Sequence, residues 1–314
     1  MYIDINTSRA RKTFKRLLGH TNHYLITILV GLDYIKDPDI NLPEEFRTSW
    51  NPRNNHSSSI RSREFAINAS LSWAIDALDA YLSFCHKKPT LYQEKEIQDN
   101  AGGAGQFVFS KFIVLRDYVN ATNEPNFKEI AALAEVAIQW RNRLVHYFAD
   151  NQISPETRQT LFDNPNFFLE NFQGLNINEL LERFDGNQAP RFKEITSLIR
   201  GIHKFVEISD VYLLGKIDKE LHLIECIDFH LKLNTESESD LKKKIGKTYN
   251  LPLQRRINSM HQIIMNYGFT LIEKQTNINE DWILNLSNLT FSCAMKFLNE
   301  IDYAKKKQIL INGQ

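Results

Sequence analysis

Apolar positions recur at intervals of three and four residues through most of the chain, which predicts helices over Ser8–Ile35, Ile60–His86, Gln106–Asn120 and Asn126–Asp150. The last of these follows Pro125 and contains no Gly or Pro. Its apolar set of Ile130, Leu133, Ala137, Trp140, Leu144 and Phe148 forms one stripe, the face expected to be buried. At about 100° per residue, Glu135, Gln139, Asn142 and His146 fall within about 60° of one another on the other side. That placement predicts an ordered polar stripe facing away from the core. The helix Ile60–His86 has an apolar stripe through Ile67, Leu71, Ala74, Leu78, Leu82 and Cys85, with Ser72, Asp76, Asp79 and Ser83 opposite. The two carboxylates are either solvated or placed to steady a cation on a neighbouring helix.

Breaks in the pattern divide the chain. Pro38, Pro43 and Pro52, with Asn51, Asn54, Asn55 and the serines Ser57 to Ser59, mark a long connection between the first two helices. Beyond Asp150, Pro155, Pro165, Gly174, Gly186 and Pro190 cut the chain into short pieces before a helical run over about Arg191–Leu233. Further helices are expected near Asp240–Lys247, Pro252–Tyr267 and Asp281–Lys306, with a short strand within Tyr267–Thr276. The sequence therefore predicts an all-α chain, with a helical bundle over 1–150 and a second, mainly helical region over 151–314. The run Ala101-Gly102-Gly103-Ala104-Gly105-Gln106 lacks the Lys-Ser or Lys-Thr and the preceding strand of a phosphate loop, and reads as a linker and helix start.

Composition narrows the classes. The 38 basic and 38 acidic residues cancel, so a uniformly basic surface is not expected and any nucleic-acid contact must come from local patches. The 3 cysteines, Cys85, Cys226 and Cys293, have no paired spacing, which argues against a disulfide framework or zinc site and fits a reducing cytoplasm. The longest apolar run, Tyr24 to Leu32, is too short to span a bilayer, so no membrane partner is expected.

The chemistry concentrates in Trp140-Arg141-Asn142-Arg143-Leu144-Val145-His146-Tyr147. Arginine offers a permanent charge and a planar fork for phosphate, and histidine takes and gives a proton near neutrality. Together they suggest phosphodiester cleavage without a metal. On an ideal helix Asn142 and Arg143, four and three residues before His146, adjoin the imidazole, whereas Arg141 lies about 140° away. Arg141 and Arg143 are therefore both candidates for the main phosphate contact.

Arg141-Asn142 followed by three residues and His146 resembles the ribonuclease signature of the HEPN superfamily. The resemblance implies an α-helical, metal-independent RNA endonuclease that needs no cofactor, with Arg141, Asn142 and His146 catalytic. It also implies a homodimer with a composite site, RNA as substrate, a toxin or antiviral role, and a partner antitoxin or regulator. The alternative is a non-catalytic helical module of the same kind that binds RNA, a nucleotide or a protein. In the HepT-type toxins a Tyr follows the His by two residues, whereas here Phe148 holds that place and Tyr147 comes one residue earlier. That shift rotates the hydroxyl by about 100° and leaves Tyr147 as a possible RNA contact.

Spacing alone is weak evidence, since an Arg four to six residues before a His arises by chance roughly once or twice in such a chain. Arg256 and His261 share it without the Asn, and read as coincidence or a decayed copy. In the first long loop Trp50 and Arg53, with Arg47, His56, Arg61 and Arg63, interleave cations with an aromatic and suit either a solvated connection or a strand of RNA. Asp76 is an accessory candidate for steadying the motif. The cluster Lys242, Lys243, Lys244, Lys247, Arg255 and Arg256 is a solvated face or a backbone contact without sequence reading.

Overall fold

The computed structural model describes residues 1–36, 54–105, 107–120, 124–145, 151–276 and 278–312. Among the described residues the chain is all-α apart from one antiparallel ribbon. In order it runs β1 (Tyr2–Ile5), α1 (Arg9–Leu18), α2 (Thr21–Tyr34), α3 (Asn55–His86), α4 (Lys95–Gly103), α5 (Val108–Asn120), α6 (Phe127–Val145), α7 (Pro155–Asp163), α8 (Pro165–Asn171) and α9 (Ile177–Asp185). It continues through α10 (Phe192–Lys216), α11 (Lys219–Lys232), α12 (Glu238–Tyr249), α13 (Leu253–Asn266), β2 (Phe269–Ile272), α14 (Asp281–Asn288), α15 (Phe291–Asn299) and α16 (Tyr303–Asn312). Residues 1–12, 83–103 and 210–314 form one compact unit, and residues 13–82 and 104–209 the other.

The 13–82/104–209 unit is organised on α6. Every residue from Ile130 to Trp140 is buried, so the helix is enclosed on all sides. The expected outward polar stripe is corrected here: Glu135 is 0% exposed and Gln139 5%. What covers it is the Pro- and Gly-broken segment after residue 150, which folds back as three short helices. Ser154 caps α7 by accepting from the Thr157 amide at 3.2 Å, and Pro155 occupies its first turn. The apolar stripe of α3 is buried as predicted. Leu133 of α6 lies so close to α10 that a Cβ on Gly201 would sit 2.9 Å from the Leu133 Cβ, and glycine there permits the approach. Phe205 of α10 packs on Phe112 and Phe127 at ring distances of 5.0 and 5.6 Å.

In the other unit β1 pairs with β2 in the register Tyr2↔Ile272 to Ile5↔Phe269, so the strand expected after Tyr267 is present and its partner is the chain's first segment. Gly268, at φ 105°, makes this possible: a Cβ there would meet the Thr7 carbonyl oxygen at 1.9 Å. Ser8 caps α1 by accepting from the Arg11 amide at 3.0 Å, and the Asp210 carboxylate accepts from the Ser8 amide at 3.1 Å and from its hydroxyl.

Several long predicted helices are divided. Ser8–Ile35 breaks at Gly19 and His20, where the Trp73 indole donates to the Leu17 carbonyl at 2.7 Å and satisfies the end of α1. Arg191–Leu233 breaks at Asp218, whose carboxylate accepts from the Glu220 and Leu221 amides at 3.0 Å. Asp281–Lys306 is reset by caps at Thr290 and Asp302. The Gly102-Gly103 tract, expected to be a linker, closes α4.

Candidate active site

The Arg-Asn pair sits in the last turn of α6, where backbone carbonyls lack helical partners and a cation is favoured. Arg141 is half-buried. Its Nη2 lies 3.3 Å from Asp76 Oδ1 of α3, and its Nη1 3.4 Å from Asn142 Oδ1, while its Nε is buried without an acceptor. Asp76 thus does face the motif, and the Arg141 side chain runs toward α3. Both contacts are long, and the Asp76 side chain is 65% exposed, so the fork is positioned with much of its donor capacity unfilled.

Arg143 differs in every respect. Its Nε donates to the Asn151 carbonyl at 2.6 Å and its Nη1 to the Phe184 carbonyl at 2.7 Å, and its guanidinium lies 3.9 Å from the Phe184 ring centroid. These contacts tie the start of the post-150 segment and the end of α9 to α6. Trp140 joins the same packing, with its indole donating to the Gln188 carbonyl at 3.2 Å and its ring edge-on to Phe184. Arg143 is therefore engaged in holding the fold, and of the two arginines left open by helical geometry, Arg141 keeps capacity for a ligand.

Six residues before Arg141 the polar chemistry is structural. Glu135 accepts from Arg116 Nη1 at 3.2 Å, from the Ser154 amide at 2.8 Å and from the Thr157 hydroxyl at 2.8 Å. Asp79, the other carboxylate of α3, pairs with Lys111 of α5 at 2.8 Å. His146 and Tyr147, together with Trp50 and Arg53, lie outside the described residues. The structure therefore brings together Arg141, Asn142 and Asp76, and separates Arg143 from them in its hydrogen bonding. Leu144 of the predicted core stripe is only half-buried.

The second Arg-to-His spacing has a structural explanation on its arginine side: Arg256 donates to the Leu289 carbonyl at 3.4 Å and lies 6.0 Å from the Tyr249 ring. Of the basic cluster, Lys244 donates to the His230 and Leu233 carbonyls and closes the end of α11. Among the described residues no group of three or more His, Cys, Asp or Glu could hold a metal ion, and no helix is long and apolar enough to cross a membrane. No family model, curated protein or solved structure matches the chain.

Proposed function

We propose that the protein is an RNA endonuclease of the HEPN type, cleaving by attack of a ribose 2′-hydroxyl on the adjacent phosphorus. The observation that carries this reading is the unfilled fork of Arg141, held beside Asn142 by Asp76 at the end of α6. Arg141 stabilises charge on the phosphate oxygens, His146 acts as general base or acid, and Asn142 orients the imidazole or an oxygen. The products carry a 2′,3′-cyclic phosphate and a 5′-hydroxyl. Every proton transfer is assigned to side chains, so the reaction proceeds in EDTA.

Acid and base on opposite sides of the phosphorus are best supplied by two histidines, which calls for two copies of the chain. Support for such an interface is the apolar surface of α2 and α3, where Tyr24, Ile28, Tyr34, Phe65 and Trp73 are exposed among the described residues. A toxin or antiviral role, restrained by a partner, follows from the same resemblance. Incubating the purified chain with total RNA in EDTA beside His146→Ala tests the proposal. Cleavage by the wild type alone, leaving cyclic phosphate ends, is expected, and wild-type cleavage by a folded His146→Ala protein rejects it.

A second reading, a non-catalytic module for RNA, a nucleotide or a protein, is favoured by the Asp76 carboxylate, which competes with phosphate for Arg141. Under that reading RNA is bound but never cut, and expression harms no host.

A further inference from the structure

We propose that a small cavity in the unit formed by 1–12, 83–103 and 210–314 is a binding site for a phosphate group, lined by Arg9, Lys87 and Lys88 and floored by the buried His222. The cavity lies among the start of α1, the end of α3 with the turn that follows it, α11 and Tyr267. Its lining contains three cations and no carboxylate. Among the described residues none of the three side chains forms an ion pair or hydrogen bond.

Arg9 is held without using its donors. Its guanidinium lies 5.2 Å from the Phe84 ring centroid and 5.0 Å from that of Tyr267, and both rings also line the cavity. Contact with the two rings holds the side chain without using its N–H groups in hydrogen bonds, and those donors are what a bidentate oxyanion contact requires. Glu225, the acid that interacts with Lys88, has its carboxyl pushed up by burial.

The independent sign of a missing ligand is His222. It is 3% exposed, it lines the cavity, and its Nδ1 has no hydrogen-bond partner. A buried polar atom left unpaired is uncommon and calls for an occupant that pairs with it. Burial drives the imidazole down to about 4, so it is neutral at pH 7 and presents one N–H and one acceptor nitrogen.

Size selects the ligand. The enclosed space is about 20 Å³, room for one or two water-sized atoms at about 10–15 Å³ each. One or two oxygens of a tetrahedral anion enter, and the remainder stays at the mouth, where Lys87 and Lys88 are exposed. A nucleobase does not fit inside, so a nucleotide enters phosphate first. The plain alternative is a single water bridging His222.

Calorimetric titration of the full chain with inorganic phosphate at fixed ionic strength tests the site. Saturable binding is expected, weakened about tenfold or more by Arg9→Gln and by the exposed pair Lys87→Gln with Lys88→Gln. In a parallel NMR titration the His222 imidazole resonances should shift, a response that nonspecific screening of surface lysines does not produce. Absence of saturable binding by the wild type, or equal binding by both variants, overturns the proposal and leaves water as the occupant. A 5′-phosphorylated dinucleotide and its unphosphorylated form identify the source: binding of the phosphorylated form assigns the site to a nucleic-acid end, and binding of inorganic phosphate alone assigns it to the free anion.

Discussion

The middle and the end of α6 carry the same kinds of residue and use them in opposite ways. At Glu135 a fully buried carboxylate has a partner on Arg116, on a backbone amide and on a hydroxyl, all at 3.2 Å or less. At Arg141 a half-buried guanidinium makes two contacts of 3.3 and 3.4 Å and leaves one nitrogen unpaired. A polar group whose capacity is filled by its own chain stabilises that chain, whereas one held in place but unfilled is available to something else. Arg143, two residues from Arg141 in sequence, belongs with Glu135 in this respect.

The largest effect that would break the contrast is on cleavage. His146→Ala should lower RNA cleavage by about 10²–10⁴-fold with circular dichroism unchanged, since loss of a positioned acid or base has that magnitude. Glu135→Ala should instead unfold the protein by about 3 kcal/mol, because it strands a cation, an amide and a hydroxyl in the interior. Denaturant titration reads this directly, and a loss below about 1 kcal/mol would show that the cluster is not structural.

The two arginines sharpen the comparison. Arg143→Ala should lose about 2 kcal/mol of stability through its two carbonyl partners, while Arg141→Ala keeps its stability and loses cleavage. Equal behaviour in paired melting and RNA assays would remove the distinction. Asp76→Asn is the smallest change: an exposed, long ion pair contributes at most about 1 kcal/mol, so its melting curve should barely move. Its effect on RNA affinity has a definite sign, tighter binding, because a competing carboxylate is gone.

Much of this molecule was legible as pattern. The stripe of α3, the stripe of α6 as far as Trp140, a helix start within one residue of Asn126 and a strand inside Tyr267–Thr276 follow from apolar spacing, and each is observed. Helix breaks at Asp218 and Thr290 were missed because the apolar period continues across them, although both carry residues with strong N-capping preference. The polar face of α6 misled for a related reason. Periodicity reports that Glu135 and Gln139 share a side, and it cannot report that residues 151–190 return to cover that side.

The motif shows the same division. Asn142 beside Arg141 is a matter of adjacency, and sequence suffices for it. Which arginine keeps unfilled donors depends on the Asn151 and Phe184 carbonyls, eight and forty-one residues from Arg143 along the chain, that reach Arg143 and not Arg141. The Arg9 cavity draws on residues from four separated stretches of chain, and nothing local marks His222 as an unpaired group. The sequence by itself determined that the chain is helical, where its apolar faces lie and which residue types could handle phosphate. Only the tertiary structure decided which of those residues have their hydrogen bonds filled, because a donor's availability depends on acceptors that other parts of the chain bring to it.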